Sequence, residues 1–153
     1  MKKFLILLSA AAAITFYTPA ASNAQGIGVQ VAPGVGVQIG EPKDNASVGY
    51  QPHVKGTVSD AAAAVHVLVR PITSDVWWVQ NAPVVQPDGA WEVPVYIGTD
   101  RLGLGESYEI VAVAAGGNWF LRLLQESSLE PGQKVKTLPG YLARSKVVVV
   151  HRL

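Results

Sequence analysis

Two adjacent tryptophans, Trp77 and Trp78, are the side chains in this sequence best suited to binding a ligand. An indole ring offers a flat apolar face and one N–H donor, which suits stacking on a sugar ring or anchoring a protein contact. On a β-strand, neighbouring side chains leave opposite faces of the sheet, so at least one of the pair lies outside the core proper. Trp77 is in step with Val79, and Trp78 is in step with Gln80. We therefore expect Trp77 to face inward and Trp78 to face outward.

Arg70 and Tyr96 are the residues that we expect beside Trp78. Arg70 ends the alternating run 65–70, in which valines take the inward positions and polar residues the outward ones. Tyr96 alternates with inward-facing apolar residues in the run 90–97. Trp78, Arg70 and Tyr96 are thus predicted to form a shallow aromatic and basic patch that binds a ligand. The alternative is a covered Trp78, packed under a short helix or under the N-terminal segment.

The serine, histidine and carboxylate residues of the sequence form no recognisable catalytic motif. The sequence has no Gly-x-Ser-x-Gly elbow, and its histidines, His53, His66 and His151, have no serine or acidic neighbour at a telling spacing. The carboxylates are scattered over predicted turns and solvated strand faces. Catalytic groups that are distant in sequence can still meet in space. We expect no enzyme activity, and a small hydrolase is the weakest of the alternatives.

The absence of cysteine excludes disulfides, thiolate metal sites and a cysteine nucleophile. His53 and His66 would supply two ligands to a metal if they lay on neighbouring strands, which is two short of a tetrahedral zinc site. The sequence contains no Asp-x-Asp calcium loop. We therefore expect neither a metal nor a cofactor.

The first 24 residues have the pattern of a secretory signal peptide. Lys2 and Lys3 precede the apolar run 4–16, and small residues lead to a predicted cleavage between Ala24 and Gln25. A run of about 13 apolar residues is shorter than the roughly 20 that a membrane-spanning helix needs, so no membrane span is expected after processing. No cysteine follows the signal, so a lipoprotein anchor cannot form. These features predict a periplasmic or secreted bacterial protein.

Removing 24 of the 153 residues leaves 129, enough for one domain with one core. With Lys2 and Lys3 gone, ten basic residues face eleven acidic ones. A chain of this charge, without basic clusters, offers little to a phosphate backbone, so we do not expect nucleic acid as a partner. The expected partner is a protein or a glycan of the cell envelope.

Residues 25–45 contain a short repeat. Gly28-Val29-Gln30-Val31 recurs as Gly36-Val37-Gln38-Ile39, and in both copies the apolar residues alternate as in a strand. Pro33-Gly34, between the copies, suits the centre of a type II turn. The segment is either a glycine-rich linker or an N-terminal hairpin.

Residues 46–153 are predicted to form one β-domain, because short alternating runs are separated by turn residues. A glycine pair and the capping residue Asn118 predict one short helix, from Trp119 to about Glu126, before the last strand. Pro94 indicates an edge position or a bulge. The predicted strands are residues 53–58, 65–70, 76–80, 84–86, 90–97, 108–115 and 146–152.

Part of this pattern resembles the immunoglobulin-like or fibronectin-like modules of exported bacterial proteins. The resembling features are Val54, Gly56 and Val58 in a Val-x-Gly-x-Val run, followed by residues 67–71, 77–80 and 88–91. The resemblance implies an all-β fold, a single antiparallel sandwich of about seven strands. The sequence lacks both cysteines of the disulfide bridge in antibody domains, and the resemblance carries over no catalytic residue.

Such sandwiches serve adhesion, glycan binding, chaperoning and spacing alike. We therefore expect a non-enzymatic binding or interaction module. The alternative is an assembly protein, in which the N-terminal repeat adds as a strand to an exposed edge of the same or a neighbouring copy.

Overall fold

The structure, a computed structural model, describes residues 35–115, 129–138 and 143–153. The predicted signal peptide, the first copy of the repeat and the predicted helix from Trp119 to Glu126 lie outside these ranges. Every regular element within them is a strand, which confirms the all-β prediction. None of the described residues belongs to a helix long and apolar enough to cross a membrane.

The described strands follow the alternating runs closely, and four further strands join them, three of them of only two or three residues. Strands of two or three residues are too short to show a period of two, so most of the additional ones have no signal in the sequence. The strands are β1 (Val37–Glu41), β2 (Ala46–Val48), β3 (His53–Val58), β4 (Ala64–Pro71), β5 (Trp77–Val79), β6 (Val84–Val85), β7 (Ala90–Pro94), β8 (Ser107–Ala115), β9 (Lys134–Val135), β10 (Ala143–Arg144) and β11 (Val148–Arg152).

These strands form two sheets. The smaller sheet has the order β1-β3-β7-β6, and the larger has the order β2-β11-β8-β4-β5-β9, with β10 also paired to β8. Among the described pairs, all are antiparallel except the parallel pair of β2 and β11, so the larger sheet is mixed. The chain enters the smaller sheet as β1 and joins the larger sheet as β2.

The main core lies between the sheets, where the alternation of each strand points its larger side chains. Val54 and Val58 come from β3, and Trp91 and Val93 come from β7. They pack with inward-facing residues of β4, β8 and β11 in one cluster. Pro94 lies just past the two-residue partner strand β6, on the side of β7 that this partner no longer covers. The predicted edge-like position of Pro94 is therefore confirmed.

A second cluster covers the outer face of the larger sheet. Leu68 of β4 and Val111 and Val113 of β8 pack there with Trp77 and with residues of the 129–138 segment. The sheet is thus apolar on both faces in its middle, which is why β4 and β8 carry nearly continuous apolar runs. The predicted inward Trp77 is buried, with 6% of its surface exposed, but in this outer cluster and not between the sheets.

The second copy of the N-terminal repeat is a strand. Val37–Glu41 forms β1 and pairs antiparallel with β3, placing Val37 opposite Val58 and Ile39 opposite Gly56. Val37 is buried in the main core, and Gln38 is exposed. Residues 37–41 therefore form a strand of the smaller sheet.

Candidate functional site

An open groove lies where β5 of the larger sheet faces the chain that continues β7. Its volume is about 340 Å³, near the lower end of small-molecule sites. The side chains that line it include those of Val69, Pro71, Trp78, Gln80, Tyr96 and Thr99. We call this feature the aromatic groove, because Trp78 and Tyr96 both contribute exposed rings, at 42% and 43% exposure.

The position of Trp78 follows from strand register. Trp78 lies opposite Val69 across the β4–β5 pair, and directly opposed residues share a face of the sheet. That face carries the main core, but β5 lies near the sheet edge, so the indole borders the core and stays open to solvent. The exposure predicted for Trp78 is confirmed, but its predicted orientation is wrong: Trp78 lies on the face of the sheet that carries the main core, and Trp77 lies on the opposite face.

Arg70 does not belong to the predicted patch. It follows Val69 on β4, so its side chain leaves the opposite face of the larger sheet. There its guanidinium carbon lies 4.4 Å from the centre of the Trp77 ring, and its Nε donates to the Glu109 carboxylate at 2.5 Å. The expected trio of Trp78, Arg70 and Tyr96 is therefore wrong by one member, and the aromatic groove loses the basic character that Arg70 implied.

Gln80 ties Tyr96 to Trp78 across the groove. The N–H groups of Val95 and Ile97 donate to the other side of the chain, toward residues 50–52, so the Tyr96 N–H points to the side where β6 has ended. The Gln80 Oε1 accepts this N–H at 2.8 Å, and the Gln80 Nε2 donates to the Trp78 carbonyl at 3.2 Å. Sequence reasoning used Gln80 only as a marker of polarity and missed this role.

A second buried polar side chain holds the same wall of the groove. Arg152, at the end of β11, has only 7% of its surface exposed and donates from Nε to the Ile97 carbonyl at 3.2 Å. Its guanidinium also lies over the Tyr50 ring, whose centre is 5.5 Å from that of Tyr96. The segment that carries Tyr96 is thus fixed to the larger sheet at two consecutive residues.

Lys134 lies against the Trp78 indole. It lies opposite Trp78 across the β5–β9 pair, and its ammonium nitrogen is 4.4 Å from the centre of the Trp78 ring. A cation over an aromatic face is attracted by the ring quadrupole. The side chains that line the groove itself carry no formal charge, so the groove suits an uncharged ligand.

Tyr108 also lines the groove, and its hydroxyl lies against a glycine-rich loop. A Cβ on Gly103 would lie 2.1 Å from the Tyr108 Oη, so this loop position must lack a side chain; its φ is also positive, at 90°. The Tyr108 hydroxyl donates to Glu106 Oε2 at 3.1 Å. Burial, together with this bond to Glu106, raises the pKa of Tyr108 above its ordinary value of 10.0.

We expect this raised pKa to make the folded protein less stable in alkali. Above pH 10.0 the unfolded chain releases the Tyr108 proton, while the folded chain still holds it. The free energy of unfolding should therefore fall as the pH rises from there through the raised pKa. Urea unfolding on both sides of this pH should show a smaller fall in Tyr108→Phe than in the unchanged protein, and an equal fall would contradict the prediction.

The histidines do not form the metal pair considered from the sequence. His53 is on β3 in the smaller sheet and lies 2.7 Å from Glu92, whereas His66 is on β4 in the larger sheet. His151 Nδ1 lies 2.8 Å from the Ser107 hydroxyl. Within the described ranges, no group of three histidine or acidic side chains is placed to hold a metal ion.

Comparison with known proteins identifies no relative of this chain. No protein-family model, curated protein or solved structure matches it. Support for a function therefore comes from the geometry of the groove and from the sequence patterns.

Proposed function

We propose that this protein is an exported, non-enzymatic binding module of the bacterial cell envelope and that its aromatic groove binds a neutral glycan. One observation carries the proposal: Trp78 and Tyr96 are exposed together in a groove whose lining side chains are uncharged. Export is supported by the lysine-led apolar segment and the small residues before Gln25.

Strand order supports an immunoglobulin-like sandwich as the scaffold. In that fold, strands A, B, E and D form one sheet and strands G, F and C form the other, with C′ added in variable-type domains. The order β1-β3-β7-β6 corresponds to A-B-E-D, and β11-β8-β4-β5 corresponds to G-F-C-C′. In this correspondence, the aromatic groove lies beside strand C′.

The chemistry of the groove fits a sugar ring. The apolar C–H face of a pyranose stacks on an aromatic ring, and its hydroxyls need a few hydrogen-bonding groups around it. The Thr99 side chain lies in the groove wall, and the exposed Trp78 contributes an indole N–H. Arg70 is absent from the groove wall, and the Lys134 ammonium beside the groove lies over the Trp78 ring.

A glycan array probed with the exported protein should show binding to neutral oligosaccharides. Trp78→Ala should weaken binding of the best neutral glycan by about tenfold in a calorimetric titration, because a truncated aromatic anchor typically costs more than ~1 kcal/mol. Val84→Ala is the matched control, since Val84 is 75% exposed on β6 and does not line the groove. Equal binding by Trp78→Ala would remove the groove from the proposal.

A second candidate function is self-association through the N-terminal segment, and the position of β1 favours it. β1 is at one end of the smaller sheet, and its outer edge has no strand partner among the described residues. An extended segment of a neighbouring copy can add to such an edge by backbone pairing. The first copy of the repeat has the alternation that this pairing needs.

Deleting residues 25–34 should then abolish any oligomer while leaving β1 in place. Sedimentation velocity of the deleted and full exported chains at several concentrations would measure this change. A full-length protein that stays monomeric over the whole concentration range contradicts the second candidate.

A further inference from the structure

The first copy of the N-terminal repeat has a second potential place in this fold, beside β3, where the second copy lies as β1. Both copies read Gly-Val-Gln followed by an aliphatic residue, at 28–31 and at 36–39. The site beside β3 requires particular backbone hydrogen bonds and particular side chains from the four residues that occupy it. Its four requirements, one at each position of the repeat, can be compared with both copies.

The site fixes the backbone of its first residue and buries the side chain of its second. The Gly36 N–H donates to the Ser59 hydroxyl at 2.8 Å, and the Gly36 carbonyl accepts the Ser59 N–H at 2.9 Å. Val37, which follows, is 4% exposed and packs in the main core. Gly28 and Val29 would present the same backbone groups and the same side chain.

The third position is polar and exposed, and the fourth is aliphatic and half-buried. Gln38 and Ile39 hold these positions now, opposite Thr57 and Gly56. Gln30 is identical to Gln38, and Val31 is one methylene smaller than Ile39. The first copy therefore meets every requirement of the site in the same order.

A tight hairpin in the same chain serves the first copy less well. With Pro33-Gly34 as a two-residue turn, Gln30 would lie opposite Val37 and Val29 opposite Gln38. Directly opposed residues share a face, so this pairing would turn Val29 toward solvent and Gln30 toward the core. In the β1 site, the valine returns to the buried face.

We infer that the strand site beside β3 accepts either copy and that the chain exchanges between two registers, eight residues apart. In the slipped register, residues 28–31 take the place of 36–39. The chain rejoins the sheets at Asp44, whose carboxylate accepts the Val149 N–H at 2.8 Å. The connection to this anchor lengthens by eight residues, and loop closure depends only weakly on length.

The second copy remains the preferred occupant for identifiable reasons. Ile39 fills more of its site than Val31 would, and Glu41 lies 3.5 Å from Lys55 in an exposed ion pair that the slipped register lacks. In that register Pro33 would stand where Glu41 now pairs, and a proline ends the ladder there. The loss of one half-buried methylene corresponds to a preference of up to roughly tenfold.

The absence of cysteine makes this exchange measurable with engineered disulfides. Gln38→Cys with Thr57→Cys reports the observed register, because these exposed residues lie directly opposite each other. Gln30→Cys with Thr57→Cys reports the slipped register. Gly26→Cys with Thr57→Cys is the matched control for random collisions of the N-terminal segment.

The exported variants are equilibrated in a glutathione buffer, and intrachain and interchain disulfides are counted by peptide mass spectrometry. We expect the intrachain disulfide of the slipped-register variant at about one tenth of the level in the observed-register variant, and clearly above the level in the collision control. Adding Val37→Asp should raise the slipped-register disulfide severalfold, because the charge makes the second copy unfit for burial. Adding Val29→Asp should reduce it to the control level.

Three results would overturn the inference. One is a slipped-register disulfide no more abundant than the disulfide of the collision control. Another is a disulfide that joins two chains, which would favour self-association. The last is loss of folding in Val37→Asp, since an interchangeable first copy would restore the strand.

Discussion

Gly56→Ala should lower the free energy of unfolding by about 3 kcal/mol, the upper end of the usual cost of overpacking a core. A Cβ at this position would lie 2.1 Å from the Gln38 carbonyl oxygen and 2.1 Å from Cζ2 of the Trp91 ring. The ring is 3% exposed and packed in the main core, so it has little room to move. The carbonyl belongs to β1, an edge strand, and we expect β1 to separate from β3.

Urea unfolding measures the change in stability, and hydrogen exchange locates it. The Ser59 N–H, which donates to the Gly36 carbonyl beside β1, should lose protection, whereas the Val58 N–H, which donates to the Gly89 carbonyl on the other side, should keep it. Gly49→Ala is the control, because a Cβ at Gly49 meets nothing within 4 Å. Unchanged stability in Gly56→Ala would show that β1 and Trp91 pack less closely around Gly56 than these distances indicate.

Gln80→Leu should lower the free energy of unfolding by about 2 kcal/mol and weaken ligand binding in the aromatic groove. Leucine leaves the Tyr96 N–H and the Trp78 carbonyl without the partners that Gln80 provides, and an unsatisfied buried polar group costs about 1–3 kcal/mol. The same change releases Tyr96 from the larger sheet. The two aromatic rings should then lose their fixed spacing.

The two effects of Gln80→Leu are separable. Urea unfolding gives the stability, and a titration with the neutral glycan selected on the array gives the affinity. Gln86→Leu is the control, since Gln86 is exposed and its side chain has no role in the groove; a surface change of this kind stays within about 0.5 kcal/mol. If Gln80→Leu lowers stability but leaves affinity unchanged, Gln80 supports the fold and does not position the rings.

The strands of the main core were predictable because the alternation of apolar and polar residues in each strand matches its alternation of buried and exposed positions. In β7, Trp91 and Val93 are buried and Glu92 is exposed, as alternation requires. The same local rule identified Trp77 as the buried and Trp78 as the exposed member of the pair, but not the face of the sheet on which each lies. Such predictions depend only on neighbours along one strand.

The makeup of the groove was only half predictable, because it depends on which strands meet. Alternation shows that Arg70 and Val69 leave opposite faces of β4 and that Trp78 and Trp77 leave opposite faces of β5. It cannot show whether Arg70 and Trp78, which are on different strands, share a face of the sheet. The Val69–Trp78 pairing decides this and sends Arg70 to the opposite face. Gln80 was missed for the same reason. Its partner Tyr96 lies in the segment that follows β7 of the smaller sheet, far from Gln80's own strand.

Alternation predicts that a side chain is buried but not which layer of the protein buries it. The sequence marked Trp77 and Val79 as buried, and they are, but beneath Leu129 and Leu138 on the outer face of the larger sheet. The pattern of a strand shows which of its faces is buried, but not which segment of the chain packs against that face.

By itself, the sequence determined that this protein is built of strands, where most of the longer strands run and which tryptophan meets solvent, since hydrophobic alternation is a local property. Only the tertiary structure decided that Trp78 and Tyr96 share one uncharged groove, that Gln80 and Arg152 hold its wall, and that the second copy of the repeat completes the smaller sheet. These features arise from register and from contacts between sheets, which join residues far apart along the chain.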